Sequence, residues 1–512
     1  MHRRDFLKTA AQAAVAGAAA SVSAGPAPAA VSDASARRTS SMLASYTADD
    51  HRRRLENIAL CHRSIRTCMR KHLVTDYLPA QCAYNLGEYP CRKPWNPDEY
   101  DEQELDRLRD HGIQLLQVFD EWNDSLRLFG GDKYSPLNPA GFQRFVEMVH
   151  QRRMKLLPYA SPCFLQRTDR DFRQEWSREG DYLEVGYWNM ARCSPASPGW
   201  RAFLLPRIAR ILDEYGADGI YLDGGYVTNA RKRIAAPAKD EVVAFEETPQ
   251  HDGAFADLLA LIYSEVKRRG GVVKLHVDGA DQPMAGDQKV CDYLWVGEGV
   301  GNADALREAV KNHPPYVVPC LDMTFAKVES DEEQYLHTLP YLQFPILQAG
   351  RPFTGERGMI PGVRYPRGER DFWVERCRRI WEHYQKHPQG PYTYGGWDSV
   401  PGRAETRPAH ARWLKRYLPL VEEGSWAWLE IGQSDLFAGP LAKGVVASAF
   451  AGRELYLVLA NYGRSPAEVG TSDAYVPAET PAVSPRKHWN LAPRSLQILC
   501  RAEPVPAPVR EG

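Results

Sequence analysis

A helix that leads straight into a short apolar strand, and then into an aspartate, constrains the fold of this chain more than any other feature. The segment runs from Ser197 to Tyr226. Ser197 and Pro198 are typical of the first positions of a helix, and apolar residues then recur at spacings of three and four, which indicates one buried helix face. Residues 219–222, Gly-Ile-Tyr-Leu, are typical of a strand that is buried on both faces. Asp223 follows at once, at the position where barrels of parallel strands carry their chemistry.

The same alternation of helix-like and strand-like segments recurs along most of the chain. We predict a first helix over residues 48–71. Eight strands are then predicted, over residues 73–84, 113–119, 155–159, 219–222, 272–277, 292–296, 316–321 and 344–347. Eight strands that alternate with helices are the count of a (β/α)8 barrel.

The residue pattern changes after position 420. Residues 444–450 and 454–460 are two apolar segments on either side of Gly452-Arg453, which is the pattern of a β-hairpin, and residues 496–499 predict a closing strand. The predicted fold class is therefore α/β: a (β/α)8 TIM barrel followed by a small C-terminal antiparallel β-sandwich domain. The predicted domains are a signal peptide (1–30), a disordered linker (31–46), the barrel catalytic domain with its N-terminal helix (47–420), the β-sandwich (421–503) and a loose tail (504–512).

The N-terminus carries an export pattern. The run Arg3-Arg4-Asp5-Phe6-Leu7-Lys8 precedes a weakly hydrophobic, alanine-rich stretch. It resembles the twin-arginine signal with which bacteria export folded proteins. The stretch is too short and too rich in alanine for a transmembrane anchor. We expect a periplasmic or extracellular protein, with no membrane association after cleavage of the signal.

The charge and composition of the chain limit the classes of partner that it is expected to bind. The chain has 64 Lys and Arg against 65 Asp and Glu, so nothing in its charge favours nucleic acid or an anionic membrane. Its 13 Trp and 25 Tyr suit stacking on sugar faces as well as core packing. The 10 cysteines are scattered without a CxxC or Cys/His cluster, so no structural zinc site is predicted. The oligomeric state and any disulfide pairing stay open.

Polar and aromatic side chains follow most of the predicted strands. The carboxyl ends of barrel strands meet at one edge, which we call the rim, so these side chains are expected to converge there. Chance explains one or two such carboxylates, whereas a shared acidic pocket explains the set. The candidates, in chain order, are Asp120, Glu121, Trp122, Tyr159, Tyr221, Asp223, His276, Asp278, Trp295, Glu298, Asp322, Gln348 and Arg351.

An acidic rim has two main chemical interpretations. A catalytic metal usually needs histidines close together, and here only His276 ends a strand, so we predict neither a metal nor another cofactor. Glycoside hydrolysis needs two carboxyl groups whose pKa values differ, in a pocket lined by aromatic side chains. The sequence meets that requirement. A hydrolase that depends on a divalent cation stays an alternative.

The segment from Trp200 to Asp223, with its run Tyr-Gly-Ala-Asp-Gly-Ile-Tyr-Leu-Asp, resembles the fourth βα unit of the α-galactosidase-like clan of glycoside hydrolases (clan D). The run Asp-Glu-Trp-Asn-Asp after strand two and the predicted β-domain after the barrel are similar as well. In that clan the aspartate that ends strand four is the nucleophile, and a carboxyl at the end of strand six is the acid/base. The resemblance therefore implies Asp223 and Glu298 for these roles.

Two positions depart from the clan. Tyr221 stands where the clan often has a lysine, and Glu298 stands where it usually has an aspartate. In α-amylase-like barrels the acid/base follows strand five, which makes Asp278 the alternative to Glu298.

We expect an exported, retaining glycoside hydrolase whose substrate is a carbohydrate. Asp120 and Glu121 are expected to hold substrate hydroxyls, and the other candidates are predicted to line the substrate pocket. For the tryptophans the alternative is packing at the barrel top, and for Arg351 it is an ion pair with a rim carboxylate. The rival function is a non-catalytic carbohydrate-binding protein on a degenerate barrel. The sugar and the linkage stay open.

Overall fold

The computed structural model describes residues 46–87, 94–185, 188–223, 248–277, 289–296, 302–311, 313, 316–320, 331–351 and 407–502. The predicted signal peptide, all of the predicted linker except Tyr46, and the predicted tail lie outside these ranges. From Thr47 onward the chain forms one compact unit. The domain boundaries given above stay predictions.

The described residues contain eight α-helices: α1 (Ala48–Ser64), α2 (Glu99–His111), α3 (Pro139–Gln151), α4 (Pro198–Asp213), α5 (Thr248–Arg268), α6 (Ala303–Val310), α7 (Asp331–Thr338) and α8 (Arg407–Tyr417). None of the helices in this part of the chain is both long and apolar enough to span a membrane.

The same ranges contain eighteen strands: β1 (Cys68–Leu73), β2 (Gln81–Asn85), β3 (Leu115–Val118), β4 (Lys155–Ala160), β5 (Phe164–Gln166), β6 (Ser177–Val185), β7 (Trp188–Cys193), β8 (Gly219–Leu222), β9 (Val272–Val277), β10 (Tyr293–Val296), β11 (Val317–Pro319), β12 (Leu347–Gly350), β13 (Trp426–Ile431), β14 (Val445–Ala451), β15 (Leu455–Asn461), β16 (Ala467–Pro477), β17 (Arg486–Leu491) and β18 (Ser495–Arg501).

Eight parallel strands form the barrel. Their order is β11-β10-β9-β8-β4-β3-β2-β12. The backbone N–H of Ile346, next to β12, donates to the carbonyl of Pro319 in β11 at 2.9 Å, and this hydrogen bond joins the two ends of the sheet. Helices α2 to α7 connect successive strands. The predicted (β/α)8 architecture is confirmed.

The barrel interior contains polar as well as aromatic side chains. Residues that pair across parallel strands point to the same side of a sheet. Lys274 pairs with Tyr221 on one side and Tyr293 on the other. Its Nζ donates to Oε1 of Gln81 at 3.0 Å. Because β9 and β2 are not neighbours, that bond crosses the interior. The intervening residues of the strands, such as Leu222 and Leu275, are apolar and fully buried against the helices.

The helix–strand unit of residues 197–223 forms as predicted. Ser197 is the N-cap of α4, and its side chain accepts a hydrogen bond from the backbone N–H of Trp200. The chain turns at Gly216, whose φ is 70°, and enters β8. A Cβ at Gly219 would lie 1.9 Å from the carbonyl oxygen of Val272, so only glycine fits where β8 meets β9.

Two predictions of secondary structure are wrong, and one sheet was not predicted. The first helix ends at Ser64, not at residue 71, because residues 68–73 pair as β1 with β13 of the C-terminal sheet. The last barrel strand is residues 347–350, since β12 takes its register from β2. The three-stranded sheet β5-β7-β6 between β4 and α4 was not predicted, because its strands carry no clear two-residue periodicity.

The C-terminal region consists of antiparallel strands, as predicted for the β-sandwich domain. Its seven strands follow the order β1-β13-β14-β15-β18-β16-β17 in one continuous sheet. β16 pairs with β17 through its first residues and with β18 through its last. A second hydrophobic core, which includes Trp428, Leu457, Tyr475 and Trp489, packs on this sheet.

Candidate active site

Asp223 stands at the rim and is held by a histidine from the next strand. Its backbone N–H donates to the carbonyl of Ala160, at the end of β4, over 3.1 Å. Its Oδ1 lies 2.9 Å from Nδ1 of His276, and the same nitrogen lies 3.1 Å from the hydroxyl of Tyr221. The Asp223 side chain is 24% exposed, whereas that of His276 is 3% exposed. An imidazole N–H that donates to a carboxylate orients it and favours its ionised form.

An aromatic layer lies on the inner side of the barrel at this end. We define it as Phe119, Tyr221 and Trp295, which come from three different parts of the sheet. The ring centroids lie 6.1 Å apart for Phe119 and Tyr221, 6.4 Å for Phe119 and Trp295, and 5.8 Å for Tyr221 and Trp295. The ring of His276 contacts Trp295 with its centroid at 4.1 Å. The predicted residues Tyr221, His276 and Trp295 therefore come together.

Asp120, Glu121 and Trp122, in the acidic run after β3, have different surroundings. Asp120 and Glu121 are buried in a short 3-10 turn, and Glu121 Oε1 accepts the backbone N–H of Leu86 at 3.1 Å. Trp122 packs on Phe142 of α3, with ring centroids 5.0 Å apart, and its indole N–H donates to the Tyr159 carbonyl. The packing alternative therefore accounts for Trp122.

A buried lysine lies beside these carboxylates. Burial lowers the pKa of the Lys133 amine to about 8, and the negative charges of Asp120 and Asp223 partly oppose that effect. Its Nζ lies 5.2 Å from the ring centroid of Tyr159. We call Asp120, Lys133, Asp223 and His276 the rim cluster. Lys133 was not predicted, since a lone lysine in the loop after β3 is typical of exposed positions.

A second buried lysine was missed as well. Burial lowers the pKa of Lys274 to about 7. It stands two residues before His276 in the segment Val-Val-Lys-Leu-His-Val, so both side chains fall on the same face of β9. That alternation was visible in the sequence and would have identified an inward polar row.

Arg351 lies at the end of β12 and faces α2. Its guanidinium lies 3.0 Å from the carboxylate of Asp98, donates to the Asn96 carbonyl at 3.1 Å, and makes an ion pair with the buried Asp101. Gln348, three residues earlier in β12, donates from Nε2 to Sγ of Cys320 at 2.9 Å. Arg351 is thus paired with carboxylates of α2 and is not part of the rim cluster.

Three predicted residues, Asp278, Glu298 and Asp322, lie outside the described residues, so their positions relative to Asp223 stay predictions. Within the ranges that are described, no group of three or more His, Cys, Asp or Glu side chains is arranged to hold a metal ion.

Comparison with known proteins gives structural neighbours only. No family model matches the chain, and no curated protein does. Its fold is similar to that of a maltogenic α-amylase from Thermotoga neapolitana, at 11% identity and a TM-score of 0.46, over 83% of this chain and 99% of that one. It is also similar to the trehalulose synthase of Pseudomonas mesoacidophila, at 11% identity and a TM-score of 0.48, over 83% and 99% of the two chains.

An α-glucosyl transfer enzyme, XgtA, is a third structural neighbour, at 12% identity and a TM-score of 0.48, over 85% of this chain and 100% of that one. At these identities the likeness concerns the fold alone. The α-galactosidase-like clan and the twin-arginine signal stay predictions.

Proposed function

We propose that this protein is an exported, retaining glycoside hydrolase in which Asp223 is the nucleophile and Glu298 the acid/base. The observation that carries the proposal is the position of Asp223: it ends a barrel strand at the rim, its carboxylate is oriented by His276, and its side chain still reaches solvent. Catalytic groups of (β/α)8 enzymes occupy this face.

In the first step the Asp223 carboxylate attacks the anomeric carbon, the glycosidic C–O bond breaks, and Glu298 gives its proton to the leaving oxygen. In the second step Glu298 takes a proton from water, the water oxygen attacks the anomeric carbon, and Asp223 leaves as a carboxylate. The hydrogen bond from His276 supports both steps, because it stabilises the ionised form in which Asp223 begins and ends the cycle.

The surroundings suit a neutral sugar. The rim cluster holds two carboxylates and one ammonium, so an anionic sugar would meet a net repulsion. The aromatic layer is buried, with no exposed surface on Tyr221 or Trp295, and it forms an apolar base beneath the rim cluster. Asp120 is proposed to accept hydrogen bonds from substrate hydroxyls, and Glu121, which is fully buried and accepts the backbone N–H of Leu86, to support the backbone beside it.

The proposal is tested by incubating the mature protein with a panel of 2,4-dinitrophenyl and 4-nitrophenyl glycosides. We expect release of the phenol from at least one sugar, and a fall of about 1,000-fold or more for Asp223→Asn. Asp213→Asn is the matched control, since Asp213 pairs with Arg269 on the outer surface. An Asp223→Asn enzyme with wild-type turnover would remove the nucleophile assignment. Sugar binding without any phenol release would favour the carbohydrate-binding protein.

Glu298 and Asp278 are distinguished by the leaving group. A variant that lacks the general acid is expected to keep much of its first-step rate on dinitrophenyl glycosides, which leave without protonation, and to lose it on substrates with poor leaving groups. We expect this pattern for Glu298→Ala. The same pattern for Asp278→Ala alone would transfer the acid/base role. Retention predicts that the first product seen by proton NMR has the anomeric configuration of the substrate.

Export is tested by cell fractionation of a bacterium that carries the full-length gene. The protein is expected in the periplasm or medium, and Arg3→Lys with Arg4→Lys is expected to hold it in the cytoplasm. A protein that stays cytoplasmic with both arginines intact would contradict the export assignment.

A further inference from the structure

Lys133 is a fully buried lysine that the hydrolysis scheme does not use. Its side chain has no exposed surface. Lysine is rarely buried in this way unless it is paired, because moving an ammonium out of water is costly. What stabilises this charge is therefore a functional question.

Hydrogen bonds fix Asp132 and Tyr134, the residues on either side of Lys133 in its loop. The carboxylate of Asp132 accepts hydrogen bonds from the backbone N–H of Tyr134 at 2.8 Å and from the hydroxyl of Ser135 at 2.6 Å. The buried hydroxyl of Tyr134 donates to the carbonyl of Ser161 at 2.9 Å, just past β4. With both neighbours fixed, the Lys133 side chain has little freedom to swing into solvent.

The contacts of the ammonium itself are weak ones. Its Nζ lies 3.9 Å from the sulfur of Met190 on β7 and 5.2 Å from the ring centroid of Tyr159. Among the described residues, no oxygen accepts a hydrogen bond from it. A thioether is a weak acceptor and a ring face a modest partner for a cation. Tyr159, whose ring lies next to the ammonium, precedes Ala160, whose carbonyl accepts the backbone N–H of Asp223. The ammonium is therefore close to the strand end that carries Asp223, and the negative charges of Asp120 and Asp223 act on it.

We propose that Lys133 is a positioning residue whose buried positive charge keeps the Asp223 carboxylate ionised and ready to attack. The proposal rests on the proposed function. A charge that is excluded from water acts over a longer distance than an exposed one, and salt screens it less. Since Lys133 has no exposed surface, it acts through the carboxylate and does not contact the sugar.

Other titratable groups around the Lys133–Asp223 pair come from five elements and are part of the same electrostatic system. They are Asp120 after β3, Tyr159 on β4, Cys193 on β7, Tyr221 on β8 and His276 on β9. Of these, Asp120 opposes the effect of Lys133 on Asp223. Removing the ammonium leaves the carboxylates of Asp120 and Asp223 without the cation that both act on, so their pKa values are expected to rise.

The test is the pH dependence of kcat/KM for Lys133→Met, measured with the best glycoside of the panel. Because Asp223 must be ionised to attack, a higher pKa for its carboxyl moves the acid limb of the profile to higher pH. We expect a shift of about one pH unit or more. Lys133→Arg, which keeps the charge, is expected to stay within about 0.3 units of the wild-type limb. Circular dichroism at each pH checks that the folded fraction is constant across the profile, because folding stability itself depends on pH.

Lys274→Met is the matched control, because it removes a second buried lysine whose hydrogen-bond partner is Gln81 rather than a carboxylate. Its acid limb is expected to stay in place. Equal shifts in both lysine variants, or no shift in Lys133→Met, would overturn the inference.

A carboxyl titration by carbon NMR of aspartate-labelled protein separates this inference from the proposed function. The Asp223 signal, assigned by its loss in Asp223→Asn, is expected to titrate at higher pH in Lys133→Met. A turnover that survives Asp223→Asn would defeat the assignment of Asp223 as the nucleophile, whatever the Lys133→Met titration shows. An unchanged Asp223 titration in Lys133→Met would defeat the electrostatic role alone.

Discussion

His276 links two rim residues through a single nitrogen. Its Nδ1 lies within hydrogen-bond distance of both the Asp223 carboxylate and the Tyr221 hydroxyl. A ring nitrogen cannot donate a hydrogen bond to one group and accept one from another at the same time. The tautomer of His276 therefore decides which of the two contacts is the stronger. The carboxylate accepts only, which favours a proton on Nδ1 that is directed to Asp223.

We predict that His276→Leu lowers kcat/KM by about 10- to 100-fold, because a hydrogen bond to a charged group contributes about 1.5–3 kcal/mol. His276→Asn is expected to lose less, since its amide nitrogen can occupy the place of Nδ1. The measurement is the kcat/KM of the two variants on one glycoside. Equal losses in the two variants would mean that the ring, and not its donor, is what matters.

At the scale of single elements, the N-terminus of α2 shows how a rim strand is anchored. Asp98 and Asp101 form a capping box. The Asp98 carboxylate accepts the backbone N–H of Asp101, and the Asp101 carboxylate accepts the backbone N–H of Asp98. The same Asp101 accepts the hydroxyl of Tyr84 at 2.7 Å from β2 and pairs with Arg351 at the end of β12. One buried carboxylate thus ties a helix to two neighbouring strands.

Arg351→Met is therefore expected to destabilise the protein by about 2 kcal/mol or more, since it leaves the buried Asp101 with fewer partners. KM for the glycoside is expected to stay unchanged. Arg109→Met, which breaks an exposed pair with Asp106 on the same helix, is the control and should cost less than about 1 kcal/mol. Chemical denaturation of each variant gives these values. A raised KM with unchanged stability would instead support the predicted role of Arg351 in substrate binding.

Elements with strong local signals were predictable, and those that depend on distant partners were not. The cap at Ser197, the glycine turn and the apolar run of β8 specify their unit from sequence alone. By contrast, β1 forms a strand only because β13 pairs with it, more than 350 residues further on. The sequence near residue 70 carries no sign of that partner.

The residues of the candidate site also fall into those that the sequence predicts and one that it does not. Asp223, Tyr221, His276 and Trp295 could be predicted because each ends a recognisable strand, and the register of a parallel barrel brings such ends together. Lys133 could not, because it reaches the rim through a long loop whose path depends on hydrogen bonds of its neighbours.

At the scale of the whole molecule, barrel and C-terminal sheet share polar contacts that make them one unit. Arg494, in the turn before β18, lies 3.0 Å from the carboxylate of Asp304 on α6 and also pairs with Glu333 on α7. Ser448 of β14 donates to the carbonyl of Pro340 at 2.6 Å. Buried polar groups at such a junction are costly to leave without partners.

Because of these contacts, we expect one cooperative unfolding transition. Arg494→Met should lower the free energy of unfolding by about 2 kcal/mol or more, since Glu333 is nearly buried and loses its partner. Arg501→Met, whose partner Asp473 belongs to the same sheet and is 43% exposed, is the matched control with a smaller expected loss. Differential scanning calorimetry measures both. Two separate transitions in the wild type would contradict the shared unit.

The pairing of β1 with β13 also governs how the nascent chain can fold. The two strands are separated by about 350 residues, and a ribosome that adds about 5–20 residues per second needs roughly 20 to 70 seconds to cover that distance. Throughout that interval the first strand has left the exit tunnel while its mate has not yet been made. The unpaired backbone N–H and C=O groups of β1 can then form hydrogen bonds with other chains. A chaperone that shields this short stretch during translation would therefore raise the yield of active protein more than one that acts after release.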